Sequence, residues 1–312
     1  SLKAGIEVNN LNFNYVDSVY KIDGDYFETI RNVDGSTWLF QPYAQWQFKI
    51  SNNVTFNAGM HYTYLALNKT SSVEPRLGLR WKASSKSSFS IAYGMHSQMA
   101  PLPILFSLVR LNDGSYVSPN KNLDLMRSHH FVVGYDYKIN EFTRIKAEAY
   151  YQSITKAGVD KAKASTYSIL NEGADFGVWA PDYLKSTGTG HNYGVELTIE
   201  HFLNKGFYFL ITTSIFDSKY KGSNNIENNT AFNNNFITNG LIGKEFKFGS
   251  KSGKSTKSLS VDIKTTYAGG KRATDWVGVL LPNNEYDQVF NDNKAYSLKL
   301  KDYIRTDFRV AF

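Results

Sequence analysis

Gly35 to Leu65 reads GSTWLFQPYAQWQFKI, then SNN, then VTFNAGMHYTYL. The even positions Trp38, Phe40, Pro42, Ala44, Trp46, Phe48 and Ile50 are apolar. Thr37, Gln41, Gln45, Gln47 and Lys49 between them are polar, with Leu39 and Tyr43 as exceptions. Beyond Ser51-Asn52-Asn53 the period of two resumes, with Val54, Phe56, Ala58, Met60, Tyr62 and Tyr64 on one side and Thr55, Asn57, Gly59, His61 and Thr63 on the other. Successive side chains of a strand point to opposite faces, so this is a long hairpin with one apolar and one polar face. The apolar face is expected to meet lipid, and the rest of the chain repeats the unit.

Composition agrees. The 312 residues are 42% hydrophobic and 15% aromatic, with 21 Tyr and 21 Phe, yet the mean hydropathy is −0.38. Apolar residues that alternate with polar ones, and never run together, produce that combination. No run approaches the roughly 18 to 20 apolar residues of a spanning helix, and the most apolar loop piece, Pro101 to Leu111, holds two prolines and an arginine. Cysteine is absent, which excludes a disulfide frame, a thiolate nucleophile and a cysteine metal site. The net charge of +7 is spread over strand faces and turns rather than gathered in a patch, so it does not point to nucleic acid. No signal-peptide pattern opens the chain at Ser1-Leu2-Lys3, and a piece of a longer protein is expected.

Alternating segments predict about twelve strands, among them Val73 to Lys82, His129 to Ile139, Thr143 to Ser153, Tyr193 to His201 and Tyr303 to Phe312. The connections sort by length in turn order. Short ones fall near 51–53, 83–87, 140–141, 203–206 and 249–257; long ones near 11–34, 97–127, 154–189, 219–235 and 269–302, with a shorter one near 66–72. This predicts an all-β, antiparallel up-and-down transmembrane barrel of the bacterial outer membrane, with short periplasmic turns and long external loops. Trp38 and Phe48 are ten residues apart, about 33 Å along a strand. Tilted by about 45°, that becomes roughly 23 Å, close to the roughly 25 Å between aromatic girdles. Trp38, Trp46, Phe48, Tyr62, Tyr64 and Trp81 are the expected girdle.

Two glycine-rich stretches mimic nucleotide sites. Gly249 to Ser255 is one spacer short of a phosphate-binding loop and joins two strands. Gly188 to Gly194 opens a strand, where its glycines let the strand bend or admit bulk from neighbours. The six histidines show no ligand spacing, and the adjacent His129 and His130 must face opposite ways. His129, on the lipid face near the outer rim, would suit the base of an outer-membrane lipase, but no matching serine stands out. No catalytic residue, cofactor or metal site is expected. The charges expected on the lumen face are Glu74, Arg76, Arg80, Arg144, Lys146, Glu148, Glu196, Glu200, Asp262, Lys264, Arg305, Asp307 and Arg309. They read either as a self-satisfied ladder of ion pairs or as a surface gripping a plug domain or lining a substrate path. Trp179, Tyr183, Trp276, Tyr286 and the asparagine-rich Asn224 to Asn235 are candidate external-loop contacts for a ligand or partner; loop packing is the alternative.

The phrase VEPRLGLRWKASSKSSFSIAYGMHSQ (Val73 to Gln98) resembles TonB-dependent outer-membrane receptors of Bacteroidetes-type bacteria, in the group that usually carries an N-terminal carboxypeptidase-regulatory-like domain. SHHFVVGYDYKINEFTRIKAEAYYQ, GHNYGVELTIEHFLNKGFYF and FNNNFITNGLIGKEF resemble later barrel strands of that family. The resemblance implies a barrel of about 22 strands around an N-terminal plug, taking up a scarce ligand (siderophore, vitamin, glycan or peptide) with energy delivered through TonB. It implies that residues 1–312 are one portion of a single barrel domain, without the plug, the TonB box or the earliest strands. RTDFRVAF resembles a C-terminal assembly signal, but in this family a similar strand is usually followed by one more hairpin. The implied partners are outer-membrane lipid, the protein's own plug, the TonB complex and a surface lipoprotein. Two other readings stay open: a scaffold barrel serving a surface lipoprotein or secretion complex, and a self-contained twelve-stranded pore or lipase.

Overall fold

The computed structural model describes residues 1–21, 25–174, 177, 180–248, 257–280 and 286–312, without the side chains of residues 286–288. Among them, twelve strands follow one another in chain order: β1 Leu2–Lys21, β2 Tyr26–Lys49, β3 Val54–Leu65, β4 Thr70–Lys82, β5 Ser87–Gln98, β6 Met126–Lys138, β7 Thr143–Asp160, β8 Leu184–Asn204, β9 Phe207–Lys221, β10 Phe236–Phe248, β11 Lys257–Ala268 and β12 Tyr303–Ala311. Each pairs antiparallel with the next, and a three-residue strand, Glu227–Asn229, lies beside β9. β1 and β12 are each paired on one side only. This is the expected up-and-down sheet.

Register places the expected faces together. Trp46 stands opposite Ala58, which stands opposite Leu77; Leu77 continues to Tyr93, Phe131, Tyr151 and Tyr193. These side chains touch one another along the face, as Tyr93 and Phe131 do at 5.0 Å, but among the described residues no second layer of protein covers them. Leu77, Ile91, Val133 and Val195 remain 46%, 59%, 55% and 55% exposed. A monomeric protein in water rarely shows an apolar patch beyond a few hundred Å², and this one covers a twelve-strand face, so lipid is its solvent. Trp38, Trp46, Phe48, Tyr62 and Trp81 are exposed on this face, and Tyr64 is half-buried beside Phe40. Towards the short turns the rings form a continuous band, Trp81 to Phe89 at 5.6 Å and Phe89 to Tyr135 at 4.8 Å.

Three short turns use one local device. Ser51 Oγ accepts the N–H groups of Asn53 and Val54 at 3.2 and 3.1 Å. Ser84 Oγ does the same for Lys86 and Ser87, and Asn140 Oδ1 for Phe142 and Thr143. Such side chains stand in for the backbone at a tight reversal. At Asn204 to Gly206, Lys205 and Gly206 take φ of 49° and 78°, the left-handed pair that matches strand twist in a hairpin. The turn at 249–257 lies almost wholly outside the described residues.

The loop end corrects the sequence reading. Residues 11–21 and 26–34 are strand rather than loop: β1 and β2 stay paired from Leu11 opposite Thr37 to Lys21 opposite Tyr26, with one bulge at Asp17/Ser18. The asparagines of this segment are poor strand formers, but pairing to a partner outweighs propensity. The strands also rise further than expected at β7, β8 and β9, and only residues 66–69 turn between β3 and β4.

Above the sheet the loops build a dry core. Ala100, Ile104, Leu105, Leu123, Ala157, Ile169 and Leu184 pack together, and Ile104 and Ala157 are wholly buried. Ile104 and Leu105 belong to a one-turn helix, Leu102–Leu105, in the segment whose prolines argued only against a spanning helix. Polar side chains lock this core to its neighbours. The wholly buried Asn120 accepts the Leu184 N–H at 2.8 Å. Asn68 donates to the carbonyls of Lys121 and Leu123. Arg31 donates to the Pro103 carbonyl at 2.8 Å, which ties in the β1–β2 extension.

Candidate lumenal binding site

The face opposite the lipid band is polar, and its geometry begins at Pro75. Proline has no N–H to give to a ladder, and β4–β5 pairing stops at Arg76 opposite Gly94. Above that point the two strands part, and the Glu74 carboxylate fills the gap. Its Oε1 accepts the Ser97 N–H at 3.2 Å, the Ser97 hydroxyl at 2.5 Å and the Thr63 hydroxyl at 2.9 Å. Arg76 donates to Oε2 at 3.3 Å. His61 Nδ1 lies 3.2 Å from Oε2, off the hydrogen-bonding line. Glu74 is 2% exposed, and a buried carboxylate is tolerated only with this much compensation. The Glu-Pro-Arg phrase is thus a strand-splitting wedge with its own polar filler.

From Glu74 a chain of polar contacts runs around the wall. Arg76 Nη2 meets His96 Nδ1 at 3.3 Å, and His96 packs edge-on against His130 at 5.1 Å. His130 Nε2 and Ser128 Oγ are 2.8 Å apart, and Gln152 Nε2 donates to Ser128 Oγ at 2.7 Å. Asn192 Nδ2 then donates to Gln152 Oε1 at 2.6 Å, Ser218 Oγ to Asn192 Oδ1 at 2.5 Å, and Thr230 Oγ1 to Ser218 Oγ at 2.8 Å. The belt crosses β4 to β9 just below the loops and carries almost no charge past Arg76.

Closer to the short turns the same face is charged. Arg144 pairs across to Glu200 at 2.8 Å. Lys146–Glu148 and Arg305–Asp307 pair along single strands, at 2.6 and 2.8 Å. Arg309 reaches Asp262 at 3.7 Å, and Asp262 also accepts the Tyr208 hydroxyl over the bare backbone of Gly243. Among the described residues Arg80, Glu196 and Lys264 form no ion pair; Arg80 donates to Ser88 Oγ at 3.3 Å. Glu196 stands opposite Glu148 in register, an unfavourable like-charge neighbour. The ladder is therefore only partly self-satisfied.

Leu39 and Tyr43, the two exceptions in the opening hairpin, also face inward. Leu39 pairs with the buried Leu65. Tyr43 stacks on His61 at 6.4 Å, with Gly5 opposite leaving room for its ring. The Gly188–Gly194 stretch opens no helix; β8 bulges twice around its start, and Leu170 of the preceding loop sits over Gly190. His129 turns to the lipid face, 2.9 Å from the Tyr93 hydroxyl, while His130 joins the belt.

The external candidates divide. Trp179 and the side chain of Tyr286 lie outside the described residues. Tyr183 is exposed with the Lys161 ammonium 5.9 Å over its ring, and Trp276 is exposed on the hairpin Trp276–Leu280/Tyr286–Phe290. The asparagine-rich loop is not a row of exposed amides. Asn228 and Asn233 are buried, and Asn233 donates to Asp217 and Asn229 at 2.6 and 2.9 Å. Arg272 donates to the Asn233 carbonyl and to Asn235 Oδ1 at 3.1 and 2.7 Å, joining the last long loop to this one. In the same loop assembly, burial and then the Glu172 carboxylate hold the Tyr167 hydroxyl above its ordinary pKa.

Sequence reading missed His96, Ser128, His130, Gln152, Asn192 and Ser218 as one site. Each carries the parity of the polar face in its own strand. Two cavities adjoin the belt. One of about 310 Å³ lies between β7, β8 and β9, and one of about 230 Å³ lies under the loops beside Asp124, Lys156 and Glu172. Leu170 lines both.

Solved structures share the fold. A ferric enterobactin receptor (PfeA) mutant of Pseudomonas aeruginosa superposes with a TM-score of 0.57 at 12% identity, over 89% of this chain and 38% of that one. The ferric-catecholate import receptor Fiu of E. coli K12 gives 0.63 at 10% identity, over 99% and 45%. The outer membrane transporter YddB of Escherichia coli gives 0.56 at 14% identity, over 99% and 44%. The chain spans less than half the length of these proteins. No curated protein matches it. The family model described as TonB dependent receptor-like, beta-barrel matches residues 2–312. The chain belongs to that family of Gram-negative outer-membrane barrels, whose apolar outside and polar inside its twelve strands reproduce.

Proposed function

We propose that the chain forms part of the barrel of a transporter that carries a scarce ligand inward across the outer membrane with energy delivered through TonB. The observation that carries this reading is the inner wall. A largely polar face running over twelve strands, with cavities below the loops and with Arg80, Glu196 and Lys264 in no ion pair among the described residues, suits a lumen that holds a plug domain and passes a solute. The named neighbours include receptors for ferric enterobactin and ferric catecholates, which supports uptake as the general role. On this reading residues 1–312 are one portion of a barrel whose plug and remaining strands lie elsewhere in the protein. The lumen charges named from the sequence face the plug. The Val73 to Gln98 phrase supports the Bacteroidetes-type group with an N-terminal carboxypeptidase-regulatory-like domain. Ligand accumulation by cells carrying the full-length protein should stop when a protonophore collapses the proton-motive force. Accumulation that continues unchanged contradicts the proposal.

One observation favours a second reading, an interaction barrel serving a surface lipoprotein. The hairpin Trp276–Leu280/Tyr286–Phe290 holds Trp276, Val277, Leu280 and Phe290 at 50%, 61%, 54% and 51% exposure. Co-purification of a lipoprotein that is lost on Val277→Asp, without any energy-dependent accumulation, would favour it.

A further inference from the structure

We propose that the cavity between β7, β8 and β9 is a binding site for an uncharged, polyhydroxylated ligand, a carbohydrate unit. This deepens the transporter reading by naming its substrate class. The floor is aromatic. Tyr150 and Phe216 close over Gly194, where an added Cβ would stand 2.9 Å from the Tyr150 hydroxyl oxygen and 2.8 Å from Phe216 Cβ. Phe232, from the loop above, adds a half-exposed ring to the lining. Flat apolar surfaces of this kind suit the C–H face of a sugar ring.

The rim is a graded series of donors and acceptors, Gln152, Asn192, Ser218 and Thr230. An amide offers two N–H donors and two acceptor lone pairs. Asn192 uses one hydrogen on Gln152 and one lone pair on Ser218. Among the described residues, no partner takes its second hydrogen, its second lone pair or a further lone pair on Gln152 Oε1. Hydroxyls, which both donate and accept, match such a rim better than a carboxylate or an ammonium would.

Charge excludes the other class. Among the described residues, no arginine and no carboxylate lines this cavity. Lys219, the one cation among the described lining residues, is held by Asn229 Oδ1 at 2.6 Å and by Asp217 at 3.7 Å. A polyanionic chelate entering here would lose its hydration without gaining a free counter-charge. The adjoining cavity, beside Asp124, Lys156 and Glu172, differs in just this respect. At about 310 Å³ the site sits at the lower end of small-molecule pockets, about 300–1,000 Å³.

The full-length protein in detergent should be tested against an array of neutral oligosaccharides, a ferric tris-catecholate complex and an end-blocked tetra-alanine peptide. At least one oligosaccharide should bind, with Asn192→Ala and Phe232→Ala each weakening it by about tenfold while heat-modifiability is kept. Phe232 lies in a loop, so its variant reads the site even if Asn192→Ala misfolds. The proposal is overturned if no oligosaccharide binds, if only the catecholate complex or the peptide binds, or if both variants bind as the parent does. Saccharide binding without protonophore-sensitive accumulation would sink the transporter reading and leave this site standing. Energy-dependent uptake of the catecholate complex alone would do the reverse.

Discussion

The wall and the loops above it bury hydrophobic residues against different solvents. In the wall, Leu77 and Val133 have no protein above them and sit at 46% and 55% exposure. In the loops, Ile104 and Leu105 are at 0% and 1%. The same residue types therefore mean opposite things, lipid contact in one region and a water-excluding core in the other. The difference teaches that exposure measures membrane contact here only where period two and register agree.

That contrast can be broken at graded cost. Ile104→Ala removes packed atoms from a dry core, where the transfer and cavity terms add to about 2–5 kcal/mol. Leu77→Ala leaves a gap that lipid fills, so it should lose the transfer term alone and cost clearly less. Denaturant titration of folded protein in micelles, with protease nicking of the loops, separates the two; equal losses would remove the contrast. Val133→Arg, on the lipid face, should destabilise by about 2–4 kcal/mol if near the bilayer midplane, whereas Ser90→Arg, one strand away on the lumen face, should be far milder. Lipid-vesicle refolding yields report the pair.

Within the inner wall the same logic separates buried from exposed charge. Glu74→Gln weakens bonds to a carboxylate that is 2% exposed, each worth about 1.5–3 kcal/mol. It should open the β4–β5 split, seen as faster hydrogen exchange at Ser97. Lys146→Ala breaks a 2.6 Å pair whose side chains are 40% and 28% exposed, and should cost under about 1 kcal/mol. The smallest effect is a pH effect in the last loop. Asp302 accepts the Gly270 N–H at 3.0 Å and pairs with Lys299 at 3.1 Å, and these contacts hold its carboxyl below the ordinary range. A depressed carboxyl stabilises above its unfolded pKa of about 3.9 and loses that contribution as pH falls through the folded value. Loop proteolysis should be flat from pH 8 to 5 and rise only below about pH 4.

The strands were legible because parity is local: Trp46, Leu77 and Val195 announce their face without any partner. The β1–β2 extension was not, since Asn12 and Asn14 argue for loop until pairing with Ser36 and Asp34 overrides them. The loop core was illegible for another reason. Asn120 and Leu184 meet across 64 residues, and no period marks contacts of that kind. The charges of the inner wall could be named from the sequence, but the neutral belt could not. Gln152, Asn192 and Ser218 are ordinary polar residues in three strands. They become one site only when register sets them side by side.

Residues 1–312 contain no cysteine, so single cysteines at positions 76 to 81 of β4 can carry a nitroxide with no background from this part of the barrel. In lipid vesicles, collision with dissolved oxygen should peak at 77, 79 and 81 and fall at 76, 78 and 80. A flat profile, or one peaking at 76, 78 and 80, would contradict a wall with lipid on its apolar side and a lumen on the other.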